Sequence, residues 1–256
     1  MSVVAVTGSA GGMGVAIRRR LEAARHRVIG VDRGDAEVVA DLSDPEGRRA
    51  MVAEVDRLSG GTLDGLVVAA GIQKGDAATI LSVNYFGAVA ALDGLRPLLA
   101  KGTAPSVVAV SSNSTITQPL YPPEVAELCL RGDEDGARRL VGEDSLGAYP
   151  ASKLALARWV RRRAPTAEWM GAGIRLNAIA PGFIDTPMTD GMWDFVSGLG
   201  DLFPIPAGRA GTAEEIAGLV CYLLSPEAGF FCGSFITMDG GTEAALRADD
   251  WPRPIS

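Results

Sequence analysis

Six strand-like runs alternating with five helical stretches predict a single α/β domain over residues 1–256, built as a doubly wound parallel sheet flanked by helices. Two further observations support this. Most of the strand-like runs are continuously apolar rather than alternating, as strands covered on both faces must be. A glycine-rich turn, Thr7-Gly8-Ser9-Ala10-Gly11-Gly12-Met13-Gly14, also separates the first strand from the first helix.

In chain order, residues 3–6 open the sheet and residues 14–24 follow as a helix. Residues 28–31 form the second strand and 45–58 the second helix, with Ser43 or Asp44 capping it and Pro45 in its first turn. Strand 66–70 precedes helix 80–99, and strand 107–110 ends at Ser111-Ser112. Helix 148–164, strand 174–180, helix 213–224 and strand 235–238 complete the order, the last helix announced by Thr212 three residues before Glu215. Two stretches interrupt the alternation. Residues 113–147 contain Pro122-Pro123-Glu124 before an apolar run and a second helical pattern from Glu134 to Val141, which makes residues 117–146 an insert. Residues 183–211 place Met188, Met192, Trp193, Phe195 and Phe203 among glycines and prolines, as a substrate loop or a piece of core or subunit interface.

Composition narrows the function. With 47% hydrophobic and 21% charged residues the chain buries a full core, and its net charge of -7 repels phosphate backbones and anionic bilayers, which leaves small molecules as partners rather than nucleic acid or membrane. No apolar run approaches the roughly 18 residues of a membrane span. Cys129, Cys221 and Cys232 are odd in number and far apart, so they predict neither disulfides nor a thiolate metal site and suit a reducing cytoplasm. The single histidine, His26, reads as a solvated loop residue and excludes both Ser-His-Asp catalysis and metal sites needing two imidazoles.

What remains points to a dinucleotide and a proton-transferring phenol. Glycines in a strand-to-helix turn let the backbone approach a pyrophosphate at a helix N-terminus. Asp32, 18 residues beyond Gly14 at the end of the second strand, is placed to accept from ribose hydroxyls. Tyr149 and Lys153 stand four apart on one helical face, where an ammonium within about 4–6 Å would lower the phenol's pKa. Ser111-Ser112 lies at a strand C-terminus, the edge that borders ligand crevices in open α/β sheets, although serines there also serve as turns or caps.

Together these segments resemble the short-chain dehydrogenase/reductase family along essentially the whole chain. The matching motifs are Thr7-Gly8-x3-Gly12-x-Gly14, Asp41-Leu42, Ala69-Ala70-Gly71, Val83-Asn84-Tyr85, Ser111-Ser112, Tyr149-x3-Lys153, Asn177 with Pro181-Gly182, and Asp239-Gly240-Gly241. The pattern is most similar to bacterial 3α-hydroxysteroid dehydrogenase/carbonyl reductases. The resemblance implies a Rossmann-type fold and an NAD-dependent oxidoreductase that interconverts a secondary alcohol and a ketone. It implies Tyr149 as acid/base, Lys153 as its electrostatic partner and ribose ligand, Ser112 as a hydrogen-bonding partner of the substrate oxygen, and Asn84 as the holder of a relay water. Cofactor contacts would come from Gly8, Gly12, Met13, Gly14, Asp32, Arg33, Asp41, Leu42, Ala70, Gly71, Tyr149, Lys153, Pro181, Gly182, Ile184 and Thr186. Ser112, Leu120, Met188, Met192 and Trp193 would meet an apolar steroid, terpenoid or other alicyclic substrate, and no metal is expected.

Two departures stand out. Ala69-Ala70 replaces residues that are more often asparagine in the family, which predicts weaker support of the central strand. The 37-residue step from Ser112 to Tyr149 is long, and the extra residues should project beside the cleft. There the apolar Leu120, Tyr121, Val125, Leu128, Cys129 and Leu130 would pack on the pocket rim or a neighbouring subunit, while Asp133, Glu134, Asp135, Arg138 and Arg139 face solvent. Its removal should then alter bulky-substrate KM or the homodimer or homotetramer more than cofactor affinity. The competing reading is a catalytically inactive nicotinamide-binding sensor or interaction protein of the same fold, against which intact Ser112, Tyr149 and Lys153 count.

Overall fold

The computed structural model describes residues 2–118 and 122–250. Its elements are β1 (Val3–Thr7), α1 (Gly12–Ala23), β2 (Arg27–Asp32), β3 (Val38–Val39), α2 (Pro45–Ser59), β4 (Gly65–Val68), α3 (Ala77–Leu81), α4 (Ala88–Leu99), β5 (Ser106–Val110), α5 (Ser114–Thr117), α6 (Pro123–Leu130), α7 (Glu134–Val141), α8 (Ser145–Arg163), β6 (Arg175–Pro181), β7 (Ile184–Asp185), α9 (Trp193–Ser197), β8 (Gly211–Thr212), α10 (Ala213–Leu224), β9 (Phe235–Met238) and α11 (Thr242–Leu246). Seven parallel strands lie in the order β3-β2-β1-β4-β5-β6-β9, and β7 pairs with β8 separately. The order reverses between β1 and β4, so connections leave in opposite directions there and open a crevice above the strand C-termini.

Sheet pleating divides the core in two. Ala5, Leu66, Val68 and Val107 face a layer of α2, α4 and α8, while Val4, Val6, Val67 and Val108 face α1 and α10. Both faces are therefore covered, which explains the uninterrupted apolar strands. Asp44 is the cap of α2, accepting from the Gly47 amide at 2.8 Å, and Thr212 with Glu215 forms a full capping box on α10.

Differences from the sequence reading are local. The helix anticipated from Ile80 starts at Ala77, because Asp76 caps it, and runs through a π-helical segment (Ser82–Gly87) into α4. Within Ala77–Leu99 an 18-residue window is apolar enough to cross a membrane by composition, with mean hydropathy 1.3, but 61% of that window is buried inside the domain as a core helix. Helix α8 begins at Ser145 rather than Ala148 because Asp144 accepts from the Gly147 amide.

The insert forms α6 and α7, which fold back on their own chain. Val125 and Cys129 are fully buried in the layer with Ala148, Ala151 and Ala155 of α8, so these side chains are core rather than rim. Glu134 and Arg138, expected in solvent, instead turn inward toward Arg48 and Ser82, since a helix lying on α3 must direct one polar turn at it. Leu120 and Tyr121 lie outside the described residues.

Candidate active site

The loop after β1 makes the first half of the site. Gly8 has φ +73°, and a Cβ there would lie 2.7 Å from the Ala70 nitrogen, so only glycine lets the loop cross β4's end this closely. A Cβ on Gly14 would overlap the Gly8 carbonyl, which seats α1 directly under the turn. The N-cap Gly11 makes no side-chain hydrogen bond and the first turn of α1 holds no acid, leaving its amides available to an anion. Above them lies a cleft of about 390 Å³ lined by Gly8, Gly12, Met13, Gly14, Asp32, Arg33, Asp41, Leu42, Ala70 and Gly71. Asp32 accepts from the Ala10 and Arg33 amides at 2.9 and 2.7 Å, which fixes its carboxylate at the mouth of β2.

The alanines at 69 and 70 are supported by a neighbour. The Ala70 amide donates to Thr7 Oγ1 at 3.2 Å and the Ala69 amide to the Thr7 carbonyl, so the β1 threonine holds the turn that asparagine was expected to hold.

The second half, a cavity of about 320 Å³, shares Met13, Ala69, Gly71, Thr186 and Met188 with the first. Ser112, Tyr149 and Lys153 converge on it, together with Pro181, Gly182 and Ile184. Ser112 comes from the end of β5, whose next residues turn back: the Ser114 amide donates to Ser112 Oγ at 3.1 Å and the Asn113 amide to the Pro181 carbonyl. Ser111, the other serine, donates its hydroxyl to the Lys153 carbonyl at 2.9 Å and is thereby structural, tying β5 to α8. Lys153 is 4% exposed and donates to the Val110 carbonyl at 3.0 Å. Its Nζ lies 5.8 Å from the Tyr149 ring centroid.

The electrostatics differ from expectation. Burial raises the Tyr149 pKa, opposed only by the Ser112 hydrogen bond, whereas the sequence predicted a phenol lowered by Lys153. Burial likewise pushes Lys153 down to about 8, so it is a lysine poised to lose its proton.

Asn84 is fully buried in the π-helical segment. Its Oδ1 accepts from the Ile72 amide at 2.8 Å, and its Nδ2 donates to the Ile72 carbonyl at 2.9 Å and to Ser152 Oγ at 3.3 Å. A Cβ on Gly71 would lie 3.1 Å from Lys153 Nζ and 3.3 Å from Asn84 Oδ1, so both side chains border the space beside the glycine. Nothing in the sequence distinguishes a π turn from an α turn, yet the wider turn is where Asn84 sits.

On the substrate side, Met188 and Met192 line the cavity, joined by Phe195, Val196, Leu199 and Phe203. Trp193 does not. It packs against Phe183 at 5.7 Å and faces a separate surface depression with Asp185 and Arg209, because its place in the first turn of α9 turns it away from the side taken by Met192 and Val196. Gln73, Asn113 and Gln118, not anticipated, add polar groups to the wall; Gln73 and Asn113 follow strand ends, whereas Gln118 follows α5 and carries no such signal.

Comparison with known proteins agrees with this layout. Residues 2–121 match the family model described as short chain dehydrogenase, and residues 135–243 match one described as enoyl-(acyl carrier protein) reductase. The chain is 40% identical to the 3-alpha-hydroxysteroid dehydrogenase/carbonyl reductase of Comamonas testosteroni, over 96% of this chain and 98% of that protein. It is 31% identical to the galactitol 2-dehydrogenase (L-tagatose-forming) of Cereibacter sphaeroides, over 93% of each. Among solved structures, the 3-alpha-hydroxysteroid dehydrogenase from Pseudomonas sp. B-0831 complexed with NADH superposes with a TM-score of 0.88 at 40% identity, covering 97% of this chain and 99% of that one. The chain therefore belongs to the short-chain dehydrogenase/reductase family and is an oxidoreductase acting on hydroxyl or carbonyl groups.

Proposed function

We propose that the protein is an NAD(H)-dependent oxidoreductase that interconverts a secondary alcohol and a ketone on an apolar substrate of the steroid, terpenoid or alicyclic class. The observation that carries this reading is the convergence of Ser112, Tyr149 and Lys153 on an apolar cavity that opens into the glycine-loop cleft. The cleft fits a nicotinamide dinucleotide: α1 offers unpartnered amides, Gly8 and Gly14 leave no room for side chains, and Asp32 stands where ribose hydroxyls would donate. The Pseudomonas relative's complex with NADH favours the same cofactor. When bound, the dinucleotide supplies or accepts the hydride.

The chain's own residues then manage one proton. Ser112 Oγ, held by the Ser114 amide, hydrogen-bonds the substrate oxygen, and Tyr149 gives or takes the proton there. Lys153, held down to about 8 by burial, would be returned toward its ordinary value by an anionic cofactor, and as a cation it biases Tyr149 toward phenolate. Asn84, tied to Ile72 and Ser152 and bordering the same space beside Gly71 as Lys153 Nζ, would hold a relay water. Met188, Met192, Phe195 and Phe203 exclude water and reward bulk in the substrate. We place the enzyme in the cytoplasm as a homodimer or homotetramer. Oxidation of a panel of steroid, monoterpenoid and cyclic alcohols, followed by nicotinamide absorbance with NAD and with NADP, tests the reading. Turnover of bulky apolar secondary alcohols with NAD supports it, and activity confined to polyols or acyl thioesters opposes it.

A further inference from the structure

The inserted helix α7 sends its only inward-facing acid, Glu134, across to Arg48 of α2. Arg48 Nη1 and Nη2 donate to the two Glu134 oxygens at 2.7 and 2.8 Å. The same guanidinium donates through Nε to the Leu42 carbonyl at 2.7 Å and through Nη2 to the carbonyls of Ser82 at 3.0 Å and Ser43 at 3.3 Å. Arg138 of α7 adds a second tie, donating to Ser82 Oγ and the Ser43 carbonyl while pairing with Glu134 at 3.0 Å. Asp41, Leu42 and Ser43 line the dinucleotide cleft, as do Thr79 and Val83, which lie on either side of Ser82 in sequence. One buried cation, 8% exposed, thus ties both lining segments together, and its charge is neutralised by an insert residue 86 positions away in sequence.

We propose that Glu134 is a positioning residue for the cofactor: through Arg48 it fixes the width of the cleft end formed by residues 41–43 and 79–83, so that the insert governs affinity for the adenine half of the dinucleotide. The claim rests on the cofactor reading above, which places adenine at Asp41 and Leu42. Its physical basis is that a buried guanidinium deprived of its carboxylate does not stay buried, because the uncompensated charge is drawn toward water. Arg48 would then release Leu42 and Ser82 together. The sequence predicts that the insert affects bulky-substrate KM or oligomeric mass more than cofactor affinity, and this proposal gives it a role toward the cofactor as well.

The test uses the full chain and two probes, 5′-AMP for the adenine end and nicotinamide mononucleotide for the other, with dissociation constants from calorimetric titration. In Glu134→Gln the constants for 5′-AMP and NAD should rise about tenfold, while that for nicotinamide mononucleotide stays within about twofold. Glu127→Gln, which removes an exposed insert ion pair to Arg158, should change none of them. Should Glu134→Gln not fold, Arg138→Gln reads the same network from its exposed side and should weaken 5′-AMP in the same sense. Unchanged 5′-AMP affinity in the folded variant overturns the inference, as does equal weakening of both probes, which would mark a merely structural role. Parent protein that binds no 5′-AMP in competition with NAD, or binds it equally well as Asp41→Ala, overturns the cofactor placement itself.

Discussion

Replacing Lys153 with methionine should stabilise the cofactor-free protein while destroying its activity. Lys153 is 4% exposed, and its one hydrogen bond is to the Val110 carbonyl. Burial takes it from 10.5 to about 8, which at neutral pH represents a cost of roughly 3 kcal/mol, at about 1.4 kcal/mol per tenfold change in proton affinity. Methionine fills a similar volume without the charge but leaves the Val110 carbonyl unpaired, a loss of about 1–2 kcal/mol. The net gain is about 1–2 kcal/mol, or roughly 2–6 °C in Tm for a chain of this size. The pH dependence identifies the cause. Between about 8 and 10.5 the folded lysine binds fewer protons than the unfolded one, so the parent gains stability as pH rises through that window and the variant's advantage shrinks. Thermal unfolding of both proteins at pH 7, 8.5 and 10, without cofactor, measures it. A variant less stable at pH 7, or an advantage that does not change with pH, would refute the reasoning.

Three further substitutions separate the site's parts. Tyr149→Phe should lower turnover by at least about a hundredfold yet leave NAD affinity within a few-fold, as steady-state kinetics and calorimetry will show, since it removes a transferable proton but little cofactor contact. Asp32→Ala should shift the kcat/KM ratio toward NADP by about tenfold or more, because it removes a charge that repels a 2′-phosphate; Arg33, beside it on the cleft wall, makes the shift larger. Thr7→Val should cost about 1 kcal/mol in chemical denaturation by removing the acceptor of the Ala70 amide, with the central strand bearing the loss.

What the sequence made legible was whatever depends on short spacing. The glycine turn, Asp32, Ser112 and the Tyr149-Lys153 pair each carry a pattern of a few residues, and the structure brings them into two joined cavities. Long-range electrostatics were not legible. The phenol was expected to be lowered by its helical neighbour, but burial dominates both groups, and burial depends on how α8 packs on the end of β5. Trp193 and Met192 are adjacent and similarly apolar, and only the start of α9 decides which one meets the cavity. The pairing of β7 with β8, two residues each, leaves no periodic trace at all. Glu134 looked like a solvated charge beside Asp133 and Asp135, and no local rule pairs it with Arg48.

The central claim is that this cleft moves a hydride between a carbinol carbon and NAD while Tyr149 handles the proton. It is tested most directly by oxidising the best alcohol of the panel with deuterium on its carbinol carbon and analysing the nicotinamide product by mass spectrometry. The account predicts one deuterium in the NADH formed by the parent enzyme, release of the corresponding ketone, and no measurable product from Tyr149→Phe. Unlabelled NADH from the labelled alcohol, or undiminished label transfer by Tyr149→Phe, would contradict it.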